Sequence, residues 1–327
     1  MNEKKNRPLI SIAAPCFNEE SVLKEFYEEL CRVIDPRDED FEIIFINDGS
    51  RDSTQDIIEE LAARDSRVQG VEFSRNFGQQ AALTAGYDFA RGGAVITMDS
   101  DLQHPPALIP DMIENWKNGA EIVYGVRKNI KQDRISKRIF SMLFYWIFRK
   151  LAYINLPAMA PDFRLMDRRA VDAFVSMKER TRFVRAMSHW VGFRSVKIDY
   201  EEKVRAGGGT KYSAYRMFGL AYRGILAFTR VPLHLLVFFG TALCMLSIIY
   251  GIYLLVVKMA YGGDVSGIQA LAAAVCFLAG IQLAGIGLVG EYVGQIYEEV
   301  RRRPIYIVRR LSGDRGDKRV PETPPHS

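Results

Sequence analysis

The sequence predicts an α/β domain: a mostly parallel sheet with helices on both faces, followed by amphipathic helices and a two-helix membrane hairpin. Three observations predict it. Short apolar runs alternate with helix-like segments through residue 124. The early apolar runs end in polar or turn-forming residues. Two long, charge-free apolar stretches lie near the C-terminus. Strict strand–helix alternation is the signature of parallel strands joined by crossover helices.

Leu9 to Ala14 reads as the first strand, stopped by Pro15. Asn18-Glu19-Glu20-Ser21 opens a helix to about Val33. Phe41 to Ile46 is a second strand ending in Asn47-Asp48-Gly49-Ser50. Asp52 or Ser53 can cap a helix over Thr54 to Arg64. Val68 to Phe73 is a third strand, Gly78 to Ala90 a small-residue helix, and Ala94 to Met98 the fourth strand. Ala107 to Asn118 is helical and Glu121 to Tyr124 is a fifth strand. Further on, Ala160 to Met166 is a turn entering a short strand, and Asp167 can cap a helix to about Met177. Thr181 to Val191 reads as helix and Ser195 to Val204 as strand.

A chain of 327 residues, 48% hydrophobic and 25% charged, holds about two packed domains and is not globally disordered. The net charge of +5 is modest and gives no ground for a nucleic-acid partner. Cys16, Cys31, Cys244 and Cys276 show no metal-like spacing and read as reduced, buried residues. Met1 to Pro8 is polar and lysine-rich, unlike a signal peptide.

The chemistry gathers where the fourth strand ends, in Asp99-Ser100-Asp101-Leu102-Gln103-His104-Pro105-Pro106. Period-2 geometry sends Asp99 and Asp101 to one side, and the prolines force a turn. Two carboxylates there are costly unless a cation joins them. Mg²⁺ or Mn²⁺ suits oxygen ligands and commonly bridges to substrate phosphates. A solvated acidic turn is the bland alternative. Pro15, Asn18, Glu19 and Asp48 converge on the same edge, where ligands bind in parallel sheets, and they weigh against it. His104 can be a metal ligand or simply a turn residue. No G-x-G-x-x-G follows the first strand and no G-x-x-x-x-G-K-[ST] occurs, which leaves a metal-held nucleotide as the common solution.

Gln132 to Ile154 and Tyr215 to Arg230 are basic, aromatic segments expected to lie in a membrane interface; an ordinary core helix is the alternative for the first. Between them Arg205-Ala206-Gly207-Gly208-Gly209-Thr210-Lys211-Tyr212-Ser213 could cradle a phosphate, or be only a basic linker. Val231 to Val257 and Ile268 to Val289 are each long enough to span a bilayer. Arginines flank the pair on both outer sides, so both termini are expected in the cytoplasm. Gly280, Gly285, Gly287, Gly290 and Gly294 permit close helix packing, within the hairpin or in a homo-oligomer. The tail after Leu311 is polar and proline-rich, an expected disordered end.

Pro15-Cys16-Phe17-Asn18-Glu19, Asn47-Asp48-Gly49-Ser50, Ser74-Arg75-Asn76-Phe77-Gly78, Asp99-Ser100-Asp101-Leu102-Gln103 and the late glycine loop with Lys211-Tyr212-Ser213 resemble the polyprenyl-phosphate glycosyltransferases of glycosyltransferase family 2, with the GT-A fold. The bactoprenol glucosyltransferase type is the nearer likeness and dolichol-phosphate mannose synthase the more distant one. The likeness runs over roughly residues 8 to 310.

The resemblance implies inverting, metal-dependent transfer of a sugar from a nucleotide diphosphate sugar to undecaprenyl phosphate, at the cytoplasmic face of a bacterial inner membrane. Glucose from UDP-glucose is the leading donor; N-acetylglucosamine, aminoarabinose, or mannose from GDP-mannose are alternatives. Carried over, Pro15, Asn18, Glu19 and Asp48 line the base and ribose, with Asp99 also on the donor. Asp99 and Asp101 hold the metal, and Gln103 faces the sugar. Arg127 and Arg205, with Lys211 and Ser213, neutralise donor or acceptor phosphate. Asp162 is either a base near the acceptor or a positioning residue. A flippase and a downstream transferase are partners the resemblance allows.

The expected organisation is a nucleotide-sugar-binding core over 1–130, an acceptor-side segment over 131–230, a membrane hairpin over 231–295 and a cytoplasmic tail over 296–327. A processive polysaccharide synthase would need a Q-x-x-R-W motif and more spans, which the sequence lacks. A non-catalytic membrane scaffold retaining the fold stays open, though Asp48, Asp99 and Asp101 argue against it. A nucleotide-binding oxidoreductase lacks its glycine loop.

Overall fold

The structure is a computed structural model that describes residues 8–127, 162–179, 182–200 and 267–313, with positions 249, 256, 259 and 260. It divides into two units, 1–213 with 302–327, and 214–301. Apart from positions 249 and 256, the first expected membrane span lies outside the described residues, as do both basic amphipathic helices and the glycine loop.

In the first unit the early elements follow the apolar pattern. They are β1 (Leu9–Cys16), α1 (Leu23–Ile34), β2 (Asp40–Asn47), α2 (Thr54–Arg64), β3 (Val68–Phe73), α3 (Gln79–Phe89), β4 (Ala94–Thr97), α4 (Ile109–Lys117) and β5 (Ile122–Arg127). β6 (Arg164–Asp167), α5 (Arg168–Ser176), α6 (Val184–Trp190) and β7 (Ser195–Tyr200) follow. Asp167 caps α5 as expected, its side chain accepting from the N–H of Arg169. The helix expected from Asn18 begins five residues later, because Asn18 takes a left-handed φ of 56° and Glu19 to Val22 form a turn.

The eight strands form one sheet in the order β7-β5-β6-β4-β1-β2-β3-β8, where β8 is Val308–Ser312. The sheet is mixed, with its central strands parallel as expected. β1/β2, β2/β3, β1/β4 and β5/β7 are parallel, but β6 runs antiparallel between β4 and β5, and β8 antiparallel beside β3. β1 meets β2 on one side and β4 on the other, and at such a switch point a crevice opens beyond the carboxyl ends.

Alternation along β1 sends Ile10, Ile12, Ala14 and Cys16 into one core, shared with Leu23, Phe26 and Leu30 of α1. On the other face Gly86 of α3 lies so close that an added Cβ would come within 2.8 Å of the Ala13 side chain. That is why α3 is built from small residues.

In the second unit, α7 (Ile268–Arg301) runs for 34 residues. It leaves Leu271, Ile286, Val293, Ile296 and Val300 largely exposed. Among the described residues no helix is long and apolar enough to cross a membrane, so the expected hairpin gains no support there.

The stretch beyond α7, expected as a plain tail, instead returns to the sheet. Tyr306 is buried, stacks on Phe73 with centroids 4.9 Å apart, and donates its hydroxyl to Asp88 at 2.7 Å. Tyr306→Ala should destabilise the core by about 3–5 kcal/mol, and Tyr306→Phe by about 1 kcal/mol. Thermal unfolding reads the loss. Faster amide exchange at Val71 and Phe73 locates it at the β3–β8 pairing, and unchanged exchange there would sink the assignment.

Candidate active site

Three loops meet beyond the carboxyl ends of β1, β2 and β3. The Asn18 amide N–H donates to Ser50 Oγ at 3.0 Å, and Asn18 Oδ1 accepts from the Arg51 N–H at 2.9 Å. The Glu19 N–H donates to Thr54 Oγ1 at 2.9 Å. The β1 and β2 loops are thereby laced together. Asp48 ties the third: its buried carboxylate accepts from the Phe77 N–H at 2.6 Å and the Gly78 N–H at 2.9 Å. Burial raises the Asp48 carboxyl above its ordinary value, and those two N–H groups pull it partly back. Gly49 is required beside it. Its φ is 68°, and a Cβ would lie 2.4 Å from the Arg75 carbonyl carbon.

These loops enclose a cavity of about 290 Å³. Phe17, Ser50, Arg51, Arg75 and Asn76 line it, with Arg309 from β8. Asp48, expected to line the base and ribose, has both of its oxygens accepting backbone N–H groups.

Past β4 the chain turns sharply. Pro15 contributes its carbonyl, which accepts from Ser100 Oγ at 2.9 Å. Leu102 sits at φ 62°, a costly conformation for a bulky side chain and one found at functional turns. Asp101 Oδ1 accepts from the Gln103 N–H at 3.1 Å. Asp99 Oδ1 accepts from Gln79 Nε2 at 3.0 Å, and the Asp99 N–H donates to His104 Nδ1 at 2.9 Å. His104 is fully buried and stacked on Phe163 at 5.1 Å. With Nδ1 spent on Asp99, His104 acts as a support for the acidic turn rather than a metal ligand through that atom.

Among the described residues no group of three or more metal-binding side chains occurs. Asp99 and Asp101 are nevertheless both part-exposed, the Asp99 side chain by 28%. Two hard oxygen donors fit a Mg²⁺ or Mn²⁺ that completes its shell with phosphate and water.

Asp162 lies beside this turn, its carbonyl accepting from Thr97 Oγ1 at 2.8 Å. Its carboxylate is 1% exposed. Arg185 donates Nε to Oδ1 and Nη2 to Oδ2, both at 3.0 Å, and Arg164 Nη2 approaches Oδ1 at 3.4 Å. Burial alone would raise this carboxyl; Arg185 and then Arg164 and His104 hold it below the ordinary carboxylate range. Arg164 also donates to Ser188 on α6.

Arg127 ends β5, paired with Tyr200. Arg205, Lys211 and Ser213 lie outside the described residues. Gln79, Arg185 and Arg309 were not foreseen. Gln79 carries a faint sequence signal, standing just after Gly78 at a helix start near the acidic edge.

Removing the Asp162 charge takes away the buried carboxylate that pairs with two guanidinium groups. Asp162→Asn should cost about 3–5 kcal/mol at neutral pH. The folded carboxyl titrates below its unfolded value of about 4, so this contribution is complete above pH 4 and disappears as pH falls through the depressed folded value. Unfolding midpoints of the two proteins from pH 7 to pH 2.5 should converge only at the acid end; a constant gap would refute the ion-pair account.

The profile described as Glycosyl transferase family 2 matches residues 11–174, half of the chain. The uncharacterized glycosyltransferase YkcC of Bacillus subtilis is 39% identical over 303 residues, covering 93% of this chain and 94% of that one. The SfII prophage-derived bactoprenol glucosyl transferase of Shigella flexneri is 37% identical over 301 residues, covering 92% and 97%. Among solved structures, glucosyl-3-phosphoglycerate synthase from Mycobacterium tuberculosis is similar at 16% identity and a TM-score of 0.49, over 68% of this chain and 79% of that one. With the family profile over half its length and relatives more than a third identical along nearly all of it, the chain belongs to glycosyltransferase family 2.

Proposed function

We propose that this glycosyltransferase moves glucose from UDP-glucose to the phosphate of a membrane polyprenyl phosphate such as undecaprenyl phosphate, with inversion at the anomeric carbon. The observation that carries the reading is the 37% identity to bactoprenol glucosyl transferases over 92% of the chain. The site supports it chemically. The cavity beside Phe17 and Arg75 offers an aromatic face and cations, which suit a nucleotide. Pro15, Asn18, Glu19 and Asp48 hold the loops that shape it. Asp99 and Asp101 would hold Mg²⁺ or Mn²⁺, which when bound neutralises the departing diphosphate. Gln103 follows them in the turn, in reach of the transferred sugar in this reading.

A lipid phosphate has a second pKa of about 6 and is largely dianionic at neutral pH. Such a nucleophile needs no strong base. Its requirement is cations that bring two anions together. Arg127, Arg205 and Lys211 are assigned that work, with the Ser213 hydroxyl donating a hydrogen bond to the phosphate. The acceptor lies at headgroup depth, so the catalytic unit has to sit at a membrane. We assign the anchor to the apolar hairpin over 231–295, with the catalytic unit on the cytoplasmic face of the inner membrane.

Purified full chain should form a glycolipid from UDP-glucose and undecaprenyl phosphate, and a chelator should abolish it. Asp101→Asn should lower kcat by about 10²–10³-fold while the protein stays folded. Product from UDP-N-acetylglucosamine or GDP-mannose alone would reassign the sugar. No product from any donor, in protein that is folded, would refute transfer.

A further inference from the structure

We propose that Arg185 is a phosphate-binding residue of this site and that Asp162 serves to hold it. The inference rests on the proposed transfer to a phosphate and adds a residue to it. Position comes first. Thr97, two residues before Asp99, donates to the Asp162 carbonyl, which fixes Asp162 at the β4 edge. From the other side, Gln80 Oε1 accepts the N–H of Val184 at 2.8 Å, while its neighbour Gln79 donates to Asp99. Arg185 is thus tied at both ends to the elements that hold the acidic turn.

Exposure then separates the members of the cluster. The side chains of Asp162 and Arg164 are each 1% exposed, whereas that of Arg185 is 34% exposed. A base must touch the acceptor oxygen, and a carboxylate sealed behind two guanidinium groups cannot. The end of the pair that a substrate can reach is the guanidinium. Asp162 holds it by the Nε–Nη2 edge, which fixes the plane of the fork. A fixed planar guanidinium is the side chain best matched to phosphate oxygens. The chemistry also calls for one. Asp99 and Asp101 make this edge acidic, yet two phosphate-bearing substrates must meet there.

The phosphate could be the donor's diphosphate or the acceptor's monophosphate, and binding distinguishes them. Calorimetry on the full chain in detergent would titrate UDP and, separately, a short-chain polyprenyl phosphate. Arg185→Gln should weaken one of these ligands by about tenfold or more, the loss expected of a charge-assisted hydrogen bond, and that ligand names the phosphate. Arg185→Lys should restore part of the affinity, keeping the charge without the fork. Asp162→Asn should weaken the same ligand and add nothing further to Arg185→Gln, as expected for two members of one device.

Folded Arg185→Gln protein that binds both ligands within twofold of wild type would overturn the assignment. So would Asp162→Asn that loses turnover with both affinities intact, since that restores Asp162 as the base. Should Arg185→Gln not fold, Arg185→Lys decides alone, with unchanged affinities counting against the assignment. Failure of the proposed transfer looks different: wild type would make no glycolipid, whatever the binding of these variants.

Discussion

Asp48 accepts the backbone N–H groups of both Phe77 and Gly78, and the geometry of the carboxyl edge depends on that capture. It seats the loop after β3 on the loop after β2, with Gly49 lacking the Cβ that would strike Arg75. Gly78 is followed by Gln79, which reaches Asp99. One buried carboxylate at the end of β2 therefore sets the position of a second carboxylate beyond β4, through the backbone of Phe77 to Gln79 and one amide side chain. The cost of burying Asp48 shows in its raised carboxyl, and its two short hydrogen bonds are the compensation.

The edge consequently holds acids of two kinds. Asp48 and Asp162 are buried and committed to donors within the protein. Asp99 and Asp101 stay part-exposed on a turn, supported from below by His104 and Gln79 and by the Gln103 amide. The first kind builds the floor; the second is left in reach of ligands. This division suits a reaction in which negative substrates must be drawn to an acidic edge. Rigid supports let the exposed pair wait in a conformation that solvent alone would not maintain.

Much of this was legible in the residues. The apolar runs of β1 to β4 and the Asp167 cap are local signals that survive folding, whereas Pro15 does not stop β1, which pairs on to Cys16. The polar strand ends do meet at one edge of the sheet. Strand direction did not show, because nothing in Arg164-Leu165-Met166-Asp167 says which way it runs beside β4. The bonds from Asp48 to the next loop did not show for a related reason: a polar residue at a strand end reads alike whether or not it also holds a neighbouring loop. Asp162 and Arg185 stand 23 positions apart with no spacing rule to join them. Val308 to Ser312 carries two arginines in five residues and looked like tail; pairing to β3 and the anchor at Tyr306 make it a strand.

That late strand bears on how the molecule is made. β3 obtains its outer neighbour from residues more than 230 positions downstream, as the reach from Arg309 to Glu72 illustrates. The ribosome must therefore complete α7 and go on past it before the sheet can close. Until then β3 is a bare edge, open to pairing with other chains. The same event delivers Arg309 to the wall of the cavity. Completion of this cavity is thus timed to the end of synthesis, and a chain cut short between Asp162 and Val308 would carry every acidic residue of the edge and still lack one wall.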